Sequence, residues 1–462
     1  MADAGSLLCA AVGAEHVLAA GPSLVDYSHD EALGLAPGRP AFVVRPGSTA
    51  EVAAVLRIAG AQGLTVTARG SGTGLSGGAA AGRGGLVLSF ERMDQILEID
   101  TSNQVAVVQP GVTLAALDSA TAECGLVYPV FPGEMGASLG GTIATNAGGM
   151  RAVKYGVTRQ HVLGLEAVLA SGEVIRTGGK HVKTSSGYNL TQLIIGSEGT
   201  LALVTEATIR LYPRLPCQAA LLAPFTSLEQ VSLAAVGVVA SGARPLILEY
   251  VDMLTMAAIA DEDVGLGVPA SIRESAQAYL LVASEERTAE SLDADMLALA
   301  DLLTELGAAD VYLLPVPAAR RLIEAREKAF WAAKSAGADE IVDAVVPLAA
   351  MAGFLSQATR LGSEAGGLIV GCGHAGDGNV HLAVFQPDPA ARTRLLREIY
   401  SAALALGGAI SGEHGIGTAK KGYFLELTDP LTVGLMRRVK QAFDPQGILA
   451  PGNLFDGPPG PA

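Results

Sequence analysis

Two glycine-rich segments constrain the fold more than any other feature of this chain. The first, RGSGTGLSGGAAAGRGG, covers residues 69–85, and the second, PVFPGEMGASLGGTIATNAGG, covers residues 129–149. The first contains a GxGxxG pattern, but the strand-like run GLVLSF follows it where a dinucleotide-binding fold requires a helix. We therefore reject that fold. The segments are either flexible surface loops or two walls of backbone N–H groups that hold an extended nucleotide, and we favour the second interpretation.

The pattern of apolar residues changes near residue 215. Residues 42–68 indicate a strand, a helix and a strand, with Ser48 and Glu51 as a capping box and Gly63 just beyond the helix. Short β-branched runs continue to residue 215, and long amphipathic helices then alternate with strands. We predict an α+β protein whose second domain is an antiparallel sheet covered by helices. The predicted parts are a helical N-terminal segment (1–37), a nucleotide-binding domain (38–215), a second domain (216–456) and a disordered tail (457–462).

Composition and charge exclude several classes of function. The chain has 462 residues, enough for two or three domains. Its formal net charge of −15 argues against nucleic acid and anionic lipid as partners. Its apolar runs fall short of the ~20 residues that span a bilayer, so we expect no integral membrane segment. The N-terminus shows no basic leader, and the four cysteines form neither a CxxC pair nor a disulfide framework, which favours the cytoplasm.

The stretch GCGHAGDGNVH, residues 371–381, predicts a β-hairpin with one histidine on each strand. The pair Asp377-Gly378 between apolar runs is a strong signal for a two-residue turn. Counting outward from that turn puts His374 directly opposite His381 on one face of the sheet, with Cβ atoms roughly 4.5–5.5 Å apart. Two imidazoles held in this way can chelate one metal ion. The competing interpretation is that the two histidines are paired by accident.

Longer motifs resemble a known family. The chain is similar to the FAD-binding domain of the vanillyl-alcohol oxidase/p-cresol methylhydroxylase flavoproteins in RGSGTGLSGG, PGEMGASLGGTIATNAGG, KYGVTRQHVLGLEAVLASG and GSEGTLALVTEATI. It is similar to the C-terminal domain of the branch that oxidises 2-hydroxy acids in GCGHAGDGNVH, ISGEHGIG and FDPQGILAPGN. The closest resemblance is to the glycolate oxidase flavin subunit and to FAD-linked D-lactate dehydrogenases. It implies an oxidoreductase with a two-part FAD-binding domain at 38–215 and a substrate and metal domain at 216–456.

The resemblance also implies which residues contact FAD. The first glycine-rich loop would form one wall with Arg69, Gly70, Ser71, Gly72, Thr73, Gly74, Leu75 and Ser76. The opposite wall, the adenine end and a closing loop would be formed by Pro132, Gly136, Ser138, Gly141, Thr142, Asn146, Gly149, Glu198, Val204 and Asn453. Some relatives attach FAD covalently through a histidine in the first loop. This loop has no histidine, so we predict non-covalent FAD.

Resemblance and hairpin geometry together imply a metal-assisted oxidation. The predicted metal ligands are His374, His381 and Glu413, a set that favours zinc and leaves manganese and iron open. His414, as a neutral imidazole, would take the proton of the substrate hydroxyl, and the Cα hydride would pass to flavin N5. Arg326 matches a substrate-binding arginine of the family, and its planar fork suits a carboxylate. The alternatives are a polar turn at Glu413-His414 and a solvated basic face around Arg326.

The expected substrate is a small 2-hydroxy acid, glycolate or D-lactate. Relatives that act on D-2-hydroxyglutarate carry a lysine and an asparagine where this chain has Ile341 and Ala383. A D-2-hydroxyglutarate dehydrogenase, a non-redox FAD enzyme, a companion-dependent FAD subunit and a metal-dependent hydrolase stay as alternatives. The electron acceptor would be a quinone, a cytochrome, or companion flavin and iron–sulfur subunits, which would make the protein peripheral to a membrane. The sequence is also compatible with a homodimer.

Overall fold

The computed structural model describes residues 3–19, 21–82, 84–259 and 268–456. The tail predicted at 457–462 lies outside the described residues. Helices and mainly antiparallel sheets alternate through the described part, so the predicted α+β class is confirmed. Within these ranges, no helix is both long and apolar enough to cross a bilayer.

A four-stranded sheet with the order β1-β2-β4-β3 begins the chain. Its elements are α1 (Ala4–Val12), β1 (Val17–Ala19), β2 (Phe42–Val44), α2 (Thr49–Gln62), β3 (Val66–Arg69) and β4 (Leu86–Ser89). The predicted strand–helix–strand unit is confirmed: Ser48 Oγ caps α2 by accepting from Glu51 N at 3.3 Å, and Gly63 ends it with a φ of +66°. The N-terminal segment, predicted as helical, also supplies β1, which pairs antiparallel with β2.

A five-stranded antiparallel sheet with the order β5-β6-β10-β8-β9 follows. Its strands are β5 (Ile96–Asp100), β6 (Val105–Val108), β8 (Val162–Val168), β9 (Val174–Gly178) and β10 (Leu203–Arg210). A small ribbon pairs β7 (Leu126–Val127) with β11 (Tyr212–Pro213). The helices of this part are α3 (Leu114–Ala122), α4 (Leu139–Thr145), α5 (Ala152–Tyr155) and α6 (Leu190–Ile194). The second glycine-rich segment therefore surrounds α4, beside the first sheet.

The C-terminal part is built on a seven-stranded antiparallel sheet with the order β15-β12-β14-β13-β17-β18-β16. Its strands are β12 (Cys217–Phe225), β13 (Ile247–Asp252), β14 (Ala278–Glu286), β15 (Tyr312–Leu313), β16 (Glu340–Val345), β17 (Leu368–His374) and β18 (Asn379–Phe385). Its helices are α7 (Leu228–Ala240), α8 (Met253–Ile259), α9 (Ala270–Ser275), α10 (Ala289–Glu305), α11 (Val316–Glu327), α12 (Ala329–Ser335), α13 (Met351–Glu364), α14 (Pro389–Ala405), α15 (Lys421–Leu427) and α16 (Pro430–Phe443).

The two faces of this large sheet have different surroundings. One face packs against α7, α10, α13 and α14 in a core that includes Phe225, Tyr250 and Phe354. Because side chains alternate along a strand, the opposite face carries Cys372 and His374, and it lies beneath α8, α11 and α12. The long helices thus cover one face of the sheet, and the other face lines a cavity.

The hairpin of β17 and β18 has a different register from the one predicted. Its loop contains four residues, 375–378, because Asp377 N–H donates to the His374 carbonyl at 3.0 Å and closes the turn there. His374 pairs with Asn379, and His381 pairs with Cys372, so the predicted direct opposition of the two histidines is wrong. The register differs by two residues. Since the side-chain period is also two, both histidines still share one face, as diagonal neighbours.

The chain returns to the first sheet after α16. Leu449 forms a parallel bridge with Val66 of β3, and Asn453 Nδ2 donates to the Gly78 carbonyl at 2.9 Å. The segment 448–453 therefore packs beside β3 and the first glycine-rich loop.

Candidate active site

The two glycine-rich loops border one cavity of about 1320 Å³, which is partly open to solvent. Most of the predicted FAD residues line it: Gly70, Ser71, Gly72, Thr73, Gly74, Leu75, Ser76, Pro132, Ser138, Gly141, Thr142, Glu198 and Asn453. Ser138 Oγ joins the loops by accepting from Ser71 N and from Gly141 N, both at 3.3 Å. A Cβ on Gly70 would lie 1.9 Å from Ser138 Oγ, so the close approach requires glycine. The size and the backbone lining fit an extended nucleotide such as FAD.

The remaining predicted FAD residues are absent from the described lining of this cavity: Arg69, Gly136, Asn146, Gly149 and Val204. The Arg69 guanidinium donates to the backbone carbonyls of His29 and Asp26 at 2.7 and 2.8 Å, which fixes the start of the first loop. Asn146 ends α4 with a φ of +55°. Arg69 and Val204 border a smaller neighbouring cavity of about 500 Å³.

The three predicted metal ligands converge on one point. His374 Nε2 lies 3.1 Å from both His381 Nε2 and Glu413 Oε1, and His381 Nε2 lies 3.2 Å from the same Glu413 oxygen. Ligand atoms about 2.0–2.1 Å from a tetrahedral ion lie roughly 3.3 Å from one another, so these three atoms fit around one ion. Two imidazoles and a carboxylate suit zinc, manganese or iron.

The charges of the triad also fit a cation. Burial lowers the pKa of His374, but the carboxylates of Glu249 and Glu413 outweigh burial and raise that pKa to about 10. Burial raises the pKa of Glu413, yet His374 and His381 hold it well below its usual range. Two carboxylates thus favour positive charge at His374, which a divalent ion would supply in place of a proton.

Glu249 was not predicted, although it contacts two of the predicted residues. It is fully buried on β13, with Oε1 2.6 Å from His374 Nδ1 and Oε2 2.6 Å from Arg326 Nη2. A carboxylate on the far nitrogen of a metal-binding histidine fixes the ring and raises its basicity. The signal was an acidic residue inside the otherwise apolar run PLILEYV, because a buried charge needs a partner.

Arg326 lines the triad's cavity and is 6% exposed, so a solvated basic face does not describe it. Its Nη2 forms a buried ion pair with Glu249 Oε2 at 2.6 Å. Arg326 Nε makes no hydrogen bond within the described part of the chain. The Nε donor is therefore available to a substrate carboxylate.

Asp343, also not predicted, orders the loop that carries Glu413 and His414. It is fully buried on β16, and its Oδ2 accepts from Ser411 Oγ at 2.6 Å. The same oxygen accepts from the backbone N–H groups of Gly412, Glu413 and His414 at 3.1, 3.1 and 2.8 Å. One carboxylate oxygen thus holds four consecutive residues of the catalytic loop.

The groups around Asp343 also determine its pKa. Burial raises its pKa, but His414, Lys420 and His381 together lower it well below the usual range. Asp343, His381 and His414 form a second group close enough to share an ion. The Asp343 oxygens already accept hydrogen bonds from this loop and from Asn379 Nδ2 at 2.8 Å, so the first triad is the better metal site.

His414 stacks on His381, with ring centroids 5.0 Å apart and an interplanar angle of 14°. Burial lowers the pKa of His414 to about 4, and Asp343 offsets only part of that effect. The imidazole is therefore neutral near pH 7. Its Nδ1 lies 3.9 Å from Asp343 Oδ2 and has no hydrogen-bond partner among the described residues. A neutral ring in this position can accept a proton.

The first glycine-rich loop holds the catalytic loop directly. Ser76 Oγ donates to the His414 carbonyl at 2.7 Å. The Glu198 carboxylate accepts from Ile416 N at 2.8 Å and from Gly417 N at 2.7 Å. Two residues predicted to contact FAD therefore also fix the loop that carries His414, the predicted proton acceptor.

Comparison with protein families covers both parts of the chain. Residues 40–178 match the model described as FAD binding domain, and residues 216–454 match the model described as FAD linked oxidases, C-terminal domain. An uncharacterised FAD-linked oxidoreductase of Mycobacterium tuberculosis is 58% identical over 431 residues, which cover 93% of this chain and 94% of the relative.

Other relatives have names that state a substrate. A D-lactate dehydrogenase of Archaeoglobus fulgidus is 40% identical over 436 residues, covering 93% of this chain and 95% of the relative. The glycolate oxidase subunit GlcD of Bacillus subtilis is 38% identical over 424 residues, covering 90% and 89%. A D-2-hydroxyglutarate dehydrogenase of Xanthomonas citri pv. viticola is 35% identical over 434 residues, covering 90% and 89%.

Among solved structures, p-cresol methylhydroxylase with substrate bound shares the fold. Its TM-score is 0.77 at 18% identity, and the alignment covers 98% of this chain and 96% of that chain. The family resemblance and the enzyme class predicted from the motifs are therefore confirmed. The chain belongs to the FAD-linked oxidases, two-domain oxidoreductases of the p-cresol methylhydroxylase fold that include relatives named glycolate oxidase and D-lactate dehydrogenase.

Proposed function

We propose that this protein oxidises a 2-hydroxy monocarboxylic acid, such as glycolate or D-lactate, to the 2-oxo acid with non-covalently bound FAD. One observation carries the proposal: Leu75, Glu413 and His414 line both the nucleotide cavity and the cavity of the metal triad. His414, the proposed proton acceptor, and Glu413, a proposed metal ligand, thus lie where the two cavities meet. When bound, FAD would accept a hydride, and a divalent ion at the triad would act as a Lewis acid toward the substrate oxygens.

The chain's own residues would orient the acid and remove its proton. The free Nε donor and the positive charge of Arg326 would bind the substrate carboxylate and direct the substrate hydroxyl toward the triad. If the His414 proton is on Nδ1, which faces Asp343, Nε2 is the proton acceptor for the hydroxyl. Asp343 would then stabilise the imidazolium that forms. The buried Glu249 would keep both His374 and Arg326 in place.

The walls beside the triad support a monocarboxylic substrate. Ile341 and Ala383 are paired across β16 and β18, and both line the cavity next to His381. Neither side chain can neutralise or hydrogen-bond a second carboxylate. A buried carboxylate without such a partner is costly, which disfavours D-2-hydroxyglutarate.

Reoxidation of the flavin would use an external acceptor, namely a quinone, a cytochrome or companion subunits. The four cysteines, Cys9, Cys124, Cys217 and Cys372, are free and lie apart in the fold. An iron–sulfur relay would therefore belong to a partner subunit. Such a partner would bring this otherwise cytoplasmic protein to a membrane surface.

An anaerobic titration of the flavin tests the proposal. Glycolate, D-lactate, L-lactate and D-2-hydroxyglutarate are added separately to the FAD-loaded protein, before and after chelation. We expect bleaching by a 2-hydroxy monocarboxylic acid, loss of bleaching after chelation, and recovery with a divalent metal. His414→Ala should slow bleaching by roughly 10²–10⁴-fold with unchanged FAD content. The matched control is His181→Ala, at an exposed position away from the site. An FAD-loaded protein that none of the acids bleaches, with metal restored, would refute the proposal.

A further inference from the structure

The cavity beside the metal triad extends past the groups that would bind a two- or three-carbon acid. Its empty space of about 950 Å³ includes the part open to solvent and the edge, at Leu75 and His414, that it shares with the nucleotide cavity. Its polar end contains Arg326, the triad and His414, and this end alone would accommodate the reacting part of glycolate or D-lactate. The remaining space could accommodate the side chain of a longer substrate.

The floor of this space is an apolar continuation of the metal-binding strands. His381 pairs with Asp343, and two residues further along the same face Ala383 pairs with both Ile341 and Val370. Phe385 follows after two more residues. Successive side chains on one face are about 6.7 Å apart along a strand, so the apolar floor extends roughly 13 Å beyond His381.

The roof combines four small side chains with Phe330. Ala329, Ala332, Ala333 and Ala336 line the cavity from one face of α12 and its C-terminal end. Their spacing of three, four and seven residues places them on one side of a helix. Because each contributes only a methyl group, the helix can lie over the strands without filling the space between them.

Besides the groups of the polar end, the charged residue in the described lining is Glu327, which follows Arg326 in the chain and also lines the nucleotide cavity. Beyond the polar end, Thr255 is the polar residue of the lining, and the neighbouring positions of α8 are Leu254, Ala258 and Ile259. An apolar chain would be stabilised there, whereas a second carboxylate would lose its hydration without gaining a partner.

We propose that the preferred substrate is a 2-hydroxy acid with an apolar side chain of roughly four to eight carbons, lying between the strand floor and the alanine face of α12. This inference rests on the proposed function, because it assumes that the hydroxyl and carboxylate occupy the polar end. It goes beyond that function by assigning the chain length that the cavity selects.

A homologous series of substrates provides the first test. The kcat/KM for flavin reduction is measured with D-lactate, D-2-hydroxybutyrate, D-2-hydroxyhexanoate and D-2-hydroxyoctanoate. Burial of each added methylene should raise kcat/KM by about fourfold until the floor is filled. If D-lactate is used as well as D-2-hydroxyhexanoate or better, the inference is wrong and the proposed function stands. If neither these acids nor glycolate, L-lactate or D-2-hydroxyglutarate reduces the flavin of the metal-restored protein, both are wrong.

A substitution in the roof provides the second test. Ala333→Phe should lower the ratio of kcat/KM for D-2-hydroxyhexanoate to that for D-lactate by at least about tenfold, because the ring occupies the space of the chain. Ala298→Phe, on the exposed side of α10, is the matched control and should leave the ratio unchanged. A ratio that Ala333→Phe does not alter would contradict the assignment of this space.

Binding of the product gives a readout without turnover. At equal concentration, 2-oxohexanoate should raise the Tm of the FAD-loaded protein more than pyruvate does, because it buries three more methylenes. Ala333→Phe should remove that difference. Equal stabilisation of the unsubstituted protein by both 2-oxo acids would overturn the inference.

Discussion

Asp343→Asn should weaken the metal site without removing any predicted ligand. Asp343 Oδ2 accepts from Ser411 Oγ and from three successive backbone N–H groups, and Oδ1 accepts from Asn379 Nδ2. An asparagine can keep its carbonyl oxygen toward the loop. Its NH₂ group then faces the NH₂ group of Asn379, so that a buried donor meets a buried donor.

The losses of stability and of metal affinity expected for Asp343→Asn follow from these hydrogen bonds. A buried donor without a partner costs about 1–3 kcal/mol, and the hydrogen bonds that remain lose their charge assistance. We therefore expect a loss of about 2–3 kcal/mol in the free energy of unfolding, or roughly 4–12 °C in the Tm of a domain of this size. Because the loop positions Glu413, and substitutions behind metal ligands typically cost 10–100-fold, metal affinity should fall by about that factor.

Chelator competition measures the metal affinity, and thermal denaturation of the same samples measures the stability. Asp293→Asn makes the same chemical change at an exposed position of α10 and should alter the free energy of unfolding by less than about 0.5 kcal/mol. If Asp343→Asn bound metal within twofold of the unsubstituted protein and kept its Tm, Asp343 would not be the residue that orders the catalytic loop.

Three further predictions test other parts of the structure. Gly70→Ala puts a Cβ 1.9 Å from the hydroxyl that joins the two glycine-rich loops, so the purified protein should lose most of its FAD, whereas Gly82→Ala, with nothing within 4 Å of its Cβ, should keep it. Glu249→Gln removes the carboxylate behind His374 and should weaken metal binding by about 10–100-fold in chelator competition. Burial lowers the pKa of His161 from 6.5 to about 4, so its stabilising effect is present above pH 6.5 and is lost as the pH falls toward 4. His161→Phe should therefore reduce the loss of stability between pH 7 and pH 5 by about 2 kcal/mol, and an identical loss in both proteins would contradict this.

Features that depend on neighbouring residues could be predicted from the sequence. The cap and the C-terminal glycine of α2, the two glycine-rich loops and the β-hairpin all follow from short-range rules of backbone geometry. The hairpin register could not be predicted, because Asp-Gly is compatible with both a two-residue and a four-residue loop. The prediction that His374 and His381 share one face of the sheet is still correct, because the observed register differs from the predicted register by an even number of residues.

Features that depend on the order of strands could not be predicted in the same way. Glu249 meets His374 because β13 and β17 are neighbours in the sheet, although 125 residues separate them in the chain. Asp343 meets His414 because the catalytic loop folds back onto β16, 71 residues away. Each of the two acids lies between apolar residues within its strand, which indicates that each has a buried partner. No local pattern indicates which partner, since that choice is made by the topology.

The protonation state of His414, the proposed proton acceptor, also depends on contacts that are distant in sequence. An isolated histidine near its ordinary pKa would serve as a base, and the sequence supports no stronger statement. In the structure, His414 is largely buried, and Ser76 of the first glycine-rich loop donates a hydrogen bond to its backbone carbonyl across 338 residues of sequence. Burial lowers the pKa of His414, whose side chain lies where the two cavities meet. Because the nucleotide-binding loop contacts the loop that carries His414, the proposed chemistry would depend on both parts of the chain.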